Sequence, residues 1–162
     1  MRTWSSRLLK RYEMASEMGL AELRAEAHRA MERAYAPYSE FRVGAAVETT
    51  EGDVHAGCNV ENASFSVTMC AERVAIGTAV TAGGRSLRRV YVCSTSPEPV
   101  PPCGVCRQAL AEFGPDLEVV SEGSGGQIRR WTLLELLPAQ FRLEEHVMTD
   151  EDGRSAGAEG RT

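Results

Sequence analysis

Apolar positions recur every three to four residues from about Gly19 to Tyr35. Leu20, Leu23, Ala27, Ala30, Met31 and Ala34 share one face, and the spacing predicts an amphipathic helix. Pro37 sets its limit, because a proline pushes the preceding residue out of helical backbone. The period then shortens. Val43 to Thr49 reads as a strand, Glu51-Gly52-Asp53 as a turn, and Val54 to Cys58 as the returning strand. Helical spacing resumes from Ala71 to Ala82 and stops at Gly83-Gly84. Val90 to Cys93 is a short buried strand, closed by a Pro-rich loop from Ser96 to Pro102. A third helix, Gly104 to Phe113, is stopped by Gly114-Pro115. Leu117 to Val120 and Ile128 to Thr132 are strands around a Gly-Ser loop at 123–126, and a short helix holds Leu133 to Leu137.

The order α-β-β-α-β-α-β-β-α predicts an α/β fold, a three-layer α/β/α sandwich around a five-stranded mixed sheet. A length of 162 residues suits one domain with an apolar core. The expected division is an N-terminal extension over 1–18, a folded unit over 19–147 and a tail over 148–162. The tail is rich in Gly, Ala and Glu, and buries too little apolar surface to order itself.

Composition narrows the functional classes. Hydrophobic residues make up 43% and charged residues 25%, an ordinary globular balance. The formal net charge of -5 argues against a surface that tracks nucleic-acid phosphates. No apolar run approaches the roughly 20 residues of a membrane span. In the first thirteen residues Arg2, Arg7, Lys10 and Arg11 alternate with Trp4, Leu8, Leu9 and Tyr12. That pattern suits a transit peptide, a membrane-surface helix or a plain extension; its shortness favours the last. Five cysteines cannot all pair internally, and two form a C-x-x-C, so a reducing cytoplasm is expected.

Cysteine placement carries the chemistry. Cys70-Ala71-Glu72 and Pro102-Cys103-Gly104-Val105-Cys106 each stand where a helix begins. The positive end of a helix favours a thiolate, and two helix starts separated by a strand can meet at one sheet edge. Three thiolates can hold one Zn2+ and leave its fourth position open to water, as catalytic sites do. Glu72, two residues from a ligand, can then carry protons. Two alternatives remain open on these residues alone: a closed zinc staple with Cys58 or Cys93 as fourth ligand, and a redox C-x-x-C. The first lacks the usual short partner spacing, and the second leaves Cys70 and Glu72 unused.

Three thiolates on a dication leave net negative charge, so a nearby cation is required to keep the metal acidic. Arg73 and Arg107 are the candidates, with Arg73 preferred. His28, His55 and His146 read as surface residues rather than ligands.

Several blocks in order resemble the cytidine deaminase family, in its small homotetrameric form, from about Ala34 to Phe141. They are Tyr38-Ser39-Glu40-Phe41-Arg42-Val43-Gly44-Ala45-Ala46, Gly57-Cys58-Asn59-Val60-Glu61-Asn62-Ala63-Ser64 and Cys70-Ala71-Glu72-Arg73. Pro102-Cys103-Gly104-Val105-Cys106-Arg107-Gln108 follows, then Leu136-Leu137-Pro138 with Phe141. The resemblance implies that Cys70, Cys103 and Cys106 bind zinc and that Glu72 shuttles protons. It implies that Asn59 and Glu61 hold the ribose hydroxyls and that Phe41 packs on the pyrimidine. It also implies that Phe141 enters a neighbouring subunit's pocket, and that the Ala71 N–H and Pro101 carbonyl read the base edge.

The implied reaction is hydrolytic deamination of cytidine and 2'-deoxycytidine, with the nucleoside and water as small-molecule partners. A deaminase of another aminopyrimidine nucleoside, such as blasticidin S, and a non-catalytic zinc-stapled module are the alternatives. Phe65, Ser66 and Pro101 depart from residues common in the family (Tyr, Gly and Ser or Thr).

Overall fold

The computed structural model describes residues 6–143, with side chains from Glu17 onward. The expected tail at 148–162, His146 and the side chains of the first sixteen residues lie outside what is described. Ten elements follow in order: α1 (Ser6–Met31), β1 (Val43–Thr49), β2 (Val54–Cys58), a 3-10 turn (Phe65–Val67), α2 (Ala71–Thr81), β3 (Leu87–Ser94), α3 (Gly104–Ala111), β4 (Glu118–Glu122), β5 (Ile128–Thr132) and α4 (Leu133–Leu136).

The strands form one sheet in the order β2-β1-β3-β4-β5. Only β3 and β4 run parallel; the other neighbours are antiparallel, so the sheet is mixed as expected. Side-chain alternation then builds the layers. Ala45, Val47, Val90, Val92 and Val119 face one side and pack with Ala71, Ala75, Ile76 and Ala79 of α2 and Leu110 of α3. Ala46, Tyr91, Cys93 and Val120 face the other side, under Leu23 and Ala27 of α1. The three-layer expectation therefore holds.

Two glycines set the layer spacing. A Cβ on Gly44 would lie 2.0 Å from the Ala27 carbonyl oxygen, and one on Gly57 would lie 2.5 Å from the Ala75 nitrogen. No side chain fits at either place, so α1 seats directly on β1 and α2 directly on β2.

The boundaries differ from expectation at identifiable places. Helix α1 starts at Ser6 and runs through Gly19, which sits against the Glu48 carboxylate. It ends at Met31, short of Tyr35, because the Tyr35 backbone is used elsewhere: its N–H donates to Asn59 and its carbonyl accepts from Glu61. Strand β3 starts at Leu87 rather than Val90, carrying Arg88 and Arg89 inside the sheet. Arg88 pairs with Glu48, and Arg89 Nε donates to Glu118 at 2.6 Å, so neighbouring strands neutralise both.

Under α1 lies a polar anchor. The buried Glu122 carboxylate accepts from Arg24 Nε at 2.9 Å and Nη2 at 2.6 Å, and from the Tyr91 hydroxyl at 2.7 Å. His28 Nε2 lies 2.8 Å from the same carboxylate. His28 is thus part of this network rather than a simple surface residue.

Candidate active site

The helix starts converge as their sequence positions suggest. Cys70 is the N-cap of α2 and Cys103 the N-cap of α3, both in extended backbone with no side-chain cap. The N-cap position puts both residues at the electropositive end of a helix. Cys106, one turn into α3, is buried. The three sulfurs lie within 4.8 Å of one another, and Cys70 and Cys103 are 3.9 Å apart. Tetrahedral zinc with Zn–S bonds near 2.3 Å needs sulfurs about 3.8 Å apart, so the donor set fits one Zn2+.

Neither Cys58 nor Cys93 joins this cluster. Cys58 donates to the Arg33 carbonyl at 3.6 Å, and Cys93 points to the opposite sheet face, donating to Gly44 at 3.7 Å. Burial pushes the Cys93 thiol up to about 11, which suits an inert core residue.

Charge regulation inside the cluster matches a cation's requirement. Hydrogen bonding from Cys106 outweighs burial and, with help from Cys103 and Arg73, brings the Cys70 thiol down to about 6. Cys106, holding the shared proton in a buried position, is raised instead. The first sulfur ionises readily and the last resists, until a metal replaces the protons. Arg73 supplies the fixed positive charge. Its Nη2 donates to the Thr68 carbonyl at 2.7 Å, while its buried Nε has no hydrogen-bond partner. Arg107 is committed elsewhere, donating to the Pro102 carbonyl at 2.7 Å and to the Leu136 carbonyl at 2.9 Å.

Glu72 stands in the first turn of α2 and is 5% exposed. Burial raises its carboxyl above the usual range, so it can hold a proton where an exposed glutamate would not. A cavity of about 320 Å³ opens beside it, within the range of small-molecule sites. Of the expected site residues, Phe41, Asn59, Glu61, Cys70, Ala71, Glu72, Pro101 and Cys103 line this cavity. Phe141 does not. It is exposed, and its backbone is held by Gln108, whose Nε2 donates to the Phe141 carbonyl at 2.9 Å.

Asn59 and Glu61 enter the lining from a braced loop. Val60 pairs with Tyr35 on one side and Met69 on the other, with reciprocal Val60–Met69 hydrogen bonds of 2.9 Å. Asn59 Oδ1 accepts from the Val43 N–H at 2.8 Å, and its Nδ2 donates to the Phe41 carbonyl at 2.8 Å. Glu61 accepts from the Tyr38 N–H at 2.9 Å, the Ser39 N–H at 3.3 Å and the Ser39 hydroxyl. Those bonds, with Ser39 foremost, hold its carboxyl below the usual range. Phe65, one of the departures, also lines the cavity, and Ser66 is exposed in the adjoining 3-10 turn.

Two hydroxyls here received no role from the sequence. Ser39 lines the cavity and bonds Glu61. Ser94, at the end of β3 opposite Val43, also lines it; its buried Oγ has no hydrogen-bond partner in the protein. Only the sheet register could have pointed to Ser94.

Comparison with known proteins agrees with this geometry. Residues 20–122 match the family model for the cytidine and deoxycytidylate deaminase zinc-binding region. A cytidine deaminase of Sporosarcina psychrophila is 43% identical over 129 residues, covering 79% of this chain and 95% of that protein. One from Halalkalibacterium halodurans is 46% identical, covering 74% of this chain and 92% of that protein. The crystal structure of cytidine deaminase from Burkholderia pseudomallei superposes with a TM-score of 0.71 at 45% identity, over 75% of this chain and 98% of that one. With three clustered sulfurs, a buried glutamate beside them and this extent of match, the chain belongs to the cytidine deaminase family of zinc enzymes.

Proposed function

We propose that this enzyme hydrolyses cytidine and 2'-deoxycytidine to uridine and 2'-deoxyuridine, releasing ammonia. One observation carries the reading: the buried Glu72 carboxylate and two of the three clustered sulfurs, those of Cys70 and Cys103, line the same cavity as Asn59 and Glu61. Cys70, Cys103 and Cys106 are the proposed ligands. Zinc, when bound, supplies the Lewis acidity that makes water a nucleophile at neutral pH.

Every other role falls to the chain itself. Glu72 takes a proton from water as oxygen adds to C4 of the pyrimidine, and delivers it to N3. The second water proton follows the same carboxylate to the departing amine, which leaves as ammonia. A raised carboxyl suits this double duty, since Glu72 must be base first and acid afterwards. The Ala71 N–H and the Pro101 carbonyl read the base edge, and Phe41 stacks on the ring. Asn59 and Glu61 take the sugar hydroxyls, the feature that favours an unmodified nucleoside over an antibiotic such as blasticidin S. Arg73 offsets the surplus negative charge at the sulfurs.

The assembly we propose is a homotetramer with pockets at subunit interfaces. Phe65, Val67, Met69, Val105 and Phe141 are exposed apolar groups on the described surface, and Phe141 has no place in its own cavity. Among the described residues no helix is long and apolar enough to cross a membrane. A reducing, cytoplasmic setting keeps the ligand thiols available.

The test follows ultraviolet absorbance on adding cytidine, cytosine or blasticidin S, with and without a chelator. Cytidine is turned over, chelator stops it, and Glu72→Gln keeps zinc but loses activity by about a hundredfold to ten-thousandfold. Near-normal turnover by Glu72→Gln would overturn the reading.

A further inference from the structure

Glu61 has little acceptor capacity to spare. An ionised carboxylate offers about four lone-pair positions. Three are occupied from within the chain: the Tyr38 and Ser39 N–H groups bond Oε2, and the Ser39 hydroxyl bonds Oε1. The serine hydroxyl is itself held, because Ser39 Oγ accepts from the Phe41 N–H at 3.0 Å. With its lone pair engaged by Phe41, the hydroxyl is oriented to donate its proton to Glu61. One serine thus ties the carboxylate on the sugar wall to the backbone of the aromatic ring on the base wall.

The turn that presents this serine is unusual. Glu40, between Ser39 and Phe41, has a φ of 57°, in the left-handed region that a side chain enters at a cost. The chain accepts that backbone and so brings the Ser39 hydroxyl and two successive N–H groups onto one carboxylate. Asn59 completes the arrangement from the other direction, since its Nδ2 donates to the Phe41 carbonyl at 2.8 Å. Phe41 is therefore gripped by Ser39 through its N–H and by Asn59 through its carbonyl.

We infer that Ser39 is a positioning residue for nucleoside selectivity, fixing Glu61 so that its remaining lone pair on Oε1 points at a sugar hydroxyl. The inference rests on the proposed role of Glu61 in sugar recognition. Ser39 acts through Glu61 and takes no part in proton transfer at the base. Its loss frees the carboxylate to rotate and pair with water, which weakens binding of the hydroxylated sugar and leaves the chemical step alone.

Steady-state kinetics of the zinc-loaded enzyme on cytidine and on 2',3'-dideoxycytidine test this, with Ser39→Ala and Ser39→Thr compared with the parent. The expected result is a KM for cytidine raised about tenfold by Ser39→Ala, with kcat within about twofold. Ser39→Thr, which keeps the hydroxyl, restores KM to within about threefold of the parent. On dideoxycytidine, Ser39→Ala lowers kcat/KM at least about threefold less than on cytidine, the shared part of the loss coming from the released Phe41 N–H. Equal losses on both substrates would overturn the inference, because they would mean that the serine only shapes the turn under Phe41. An unchanged KM for cytidine would overturn it too. A parent enzyme that treats the two substrates alike would refute the sugar role of Glu61 itself, a failure distinguishable from the other two.

Discussion

Replacing Glu122 with glutamine should change the acid limb of the stability curve in a calculable way. Burial alone would raise this carboxyl, but hydrogen bonds from Arg24, Tyr91 and His28 outweigh it and hold it at about 2, against an ordinary 4.5. At about 1.4 kcal/mol for each pH unit between the two values, ionisation contributes about 3 kcal/mol to folding. Because the folded-state value lies below the unfolded one, that contribution is complete above pH about 4.5. It drains away as pH falls and is gone near pH about 2. Glutamine keeps the shape and never carries the charge. Glu122→Gln should therefore be less stable by about 3 kcal/mol at neutral pH, with the gap closing in acid. Urea unfolding followed by circular dichroism at a series of pH values measures it for both proteins. The helices that carry Cys70, Cys103 and Cys106 pack on the other face of the sheet, so zinc loss in acid affects both alike and cancels in the difference. A gap that stays constant from neutral pH to about pH 3 would refute the reasoning, as would one below about 1 kcal/mol at neutral pH.

Other outcomes follow from the packing and the site. Gly57→Ala drives a methyl group to 2.5 Å from the Ala75 nitrogen and 2.7 Å from Val74 Cβ, so α2 must shift. A cost of about 1–3 kcal/mol is expected in thermal melting, together with lower zinc content, because α2 carries Cys70 and Glu72. Ser94→Ala removes a buried hydroxyl that has no protein partner, so the melting temperature should hold or rise. A fall equivalent to more than about 1 kcal/mol would show that this hydroxyl is satisfied by something else, such as a buried water. Stripping zinc with a chelator should lower the melting temperature and abolish turnover, and adding zinc back should restore both. Cys106→Ser should reproduce the stripped state and resist rescue.

The sheet and its flanking helices could be read from hydrophobic period because β1, β3 and β4 carry runs of buried apolar residues. The misread boundaries lie where charge or glycine hides a regular element. Arg88-Arg89 looks like a break in β3, yet Glu48 and Glu118 neutralise it from adjacent strands. Gly19 looks like a helix start, yet it sits within α1 where a side chain would crowd Glu48. His28 looks like surface because its partner Glu122 is 94 residues away. In the site, residues within short motifs were legible, since Cys70, Glu72, Cys103 and Cys106 are brought together by two helix starts. The roles of Ser39, though it stands in a quoted block, and of Ser94 were not, because neither turn geometry nor strand register is written in local composition.

The two-sided pairing of Val60, to Tyr35 and to Met69, makes the enzyme a gauge of length. Met69 precedes Cys70, while Asn59 and Glu61 flank Val60, so one backbone brace ties the segment that carries Asn59 and Glu61 to the helix start that carries Cys70 and Glu72. No rotamer change alters that span. Changing the separation of those two segments means moving backbone in both at once, beyond the reach of a single side-chain exchange.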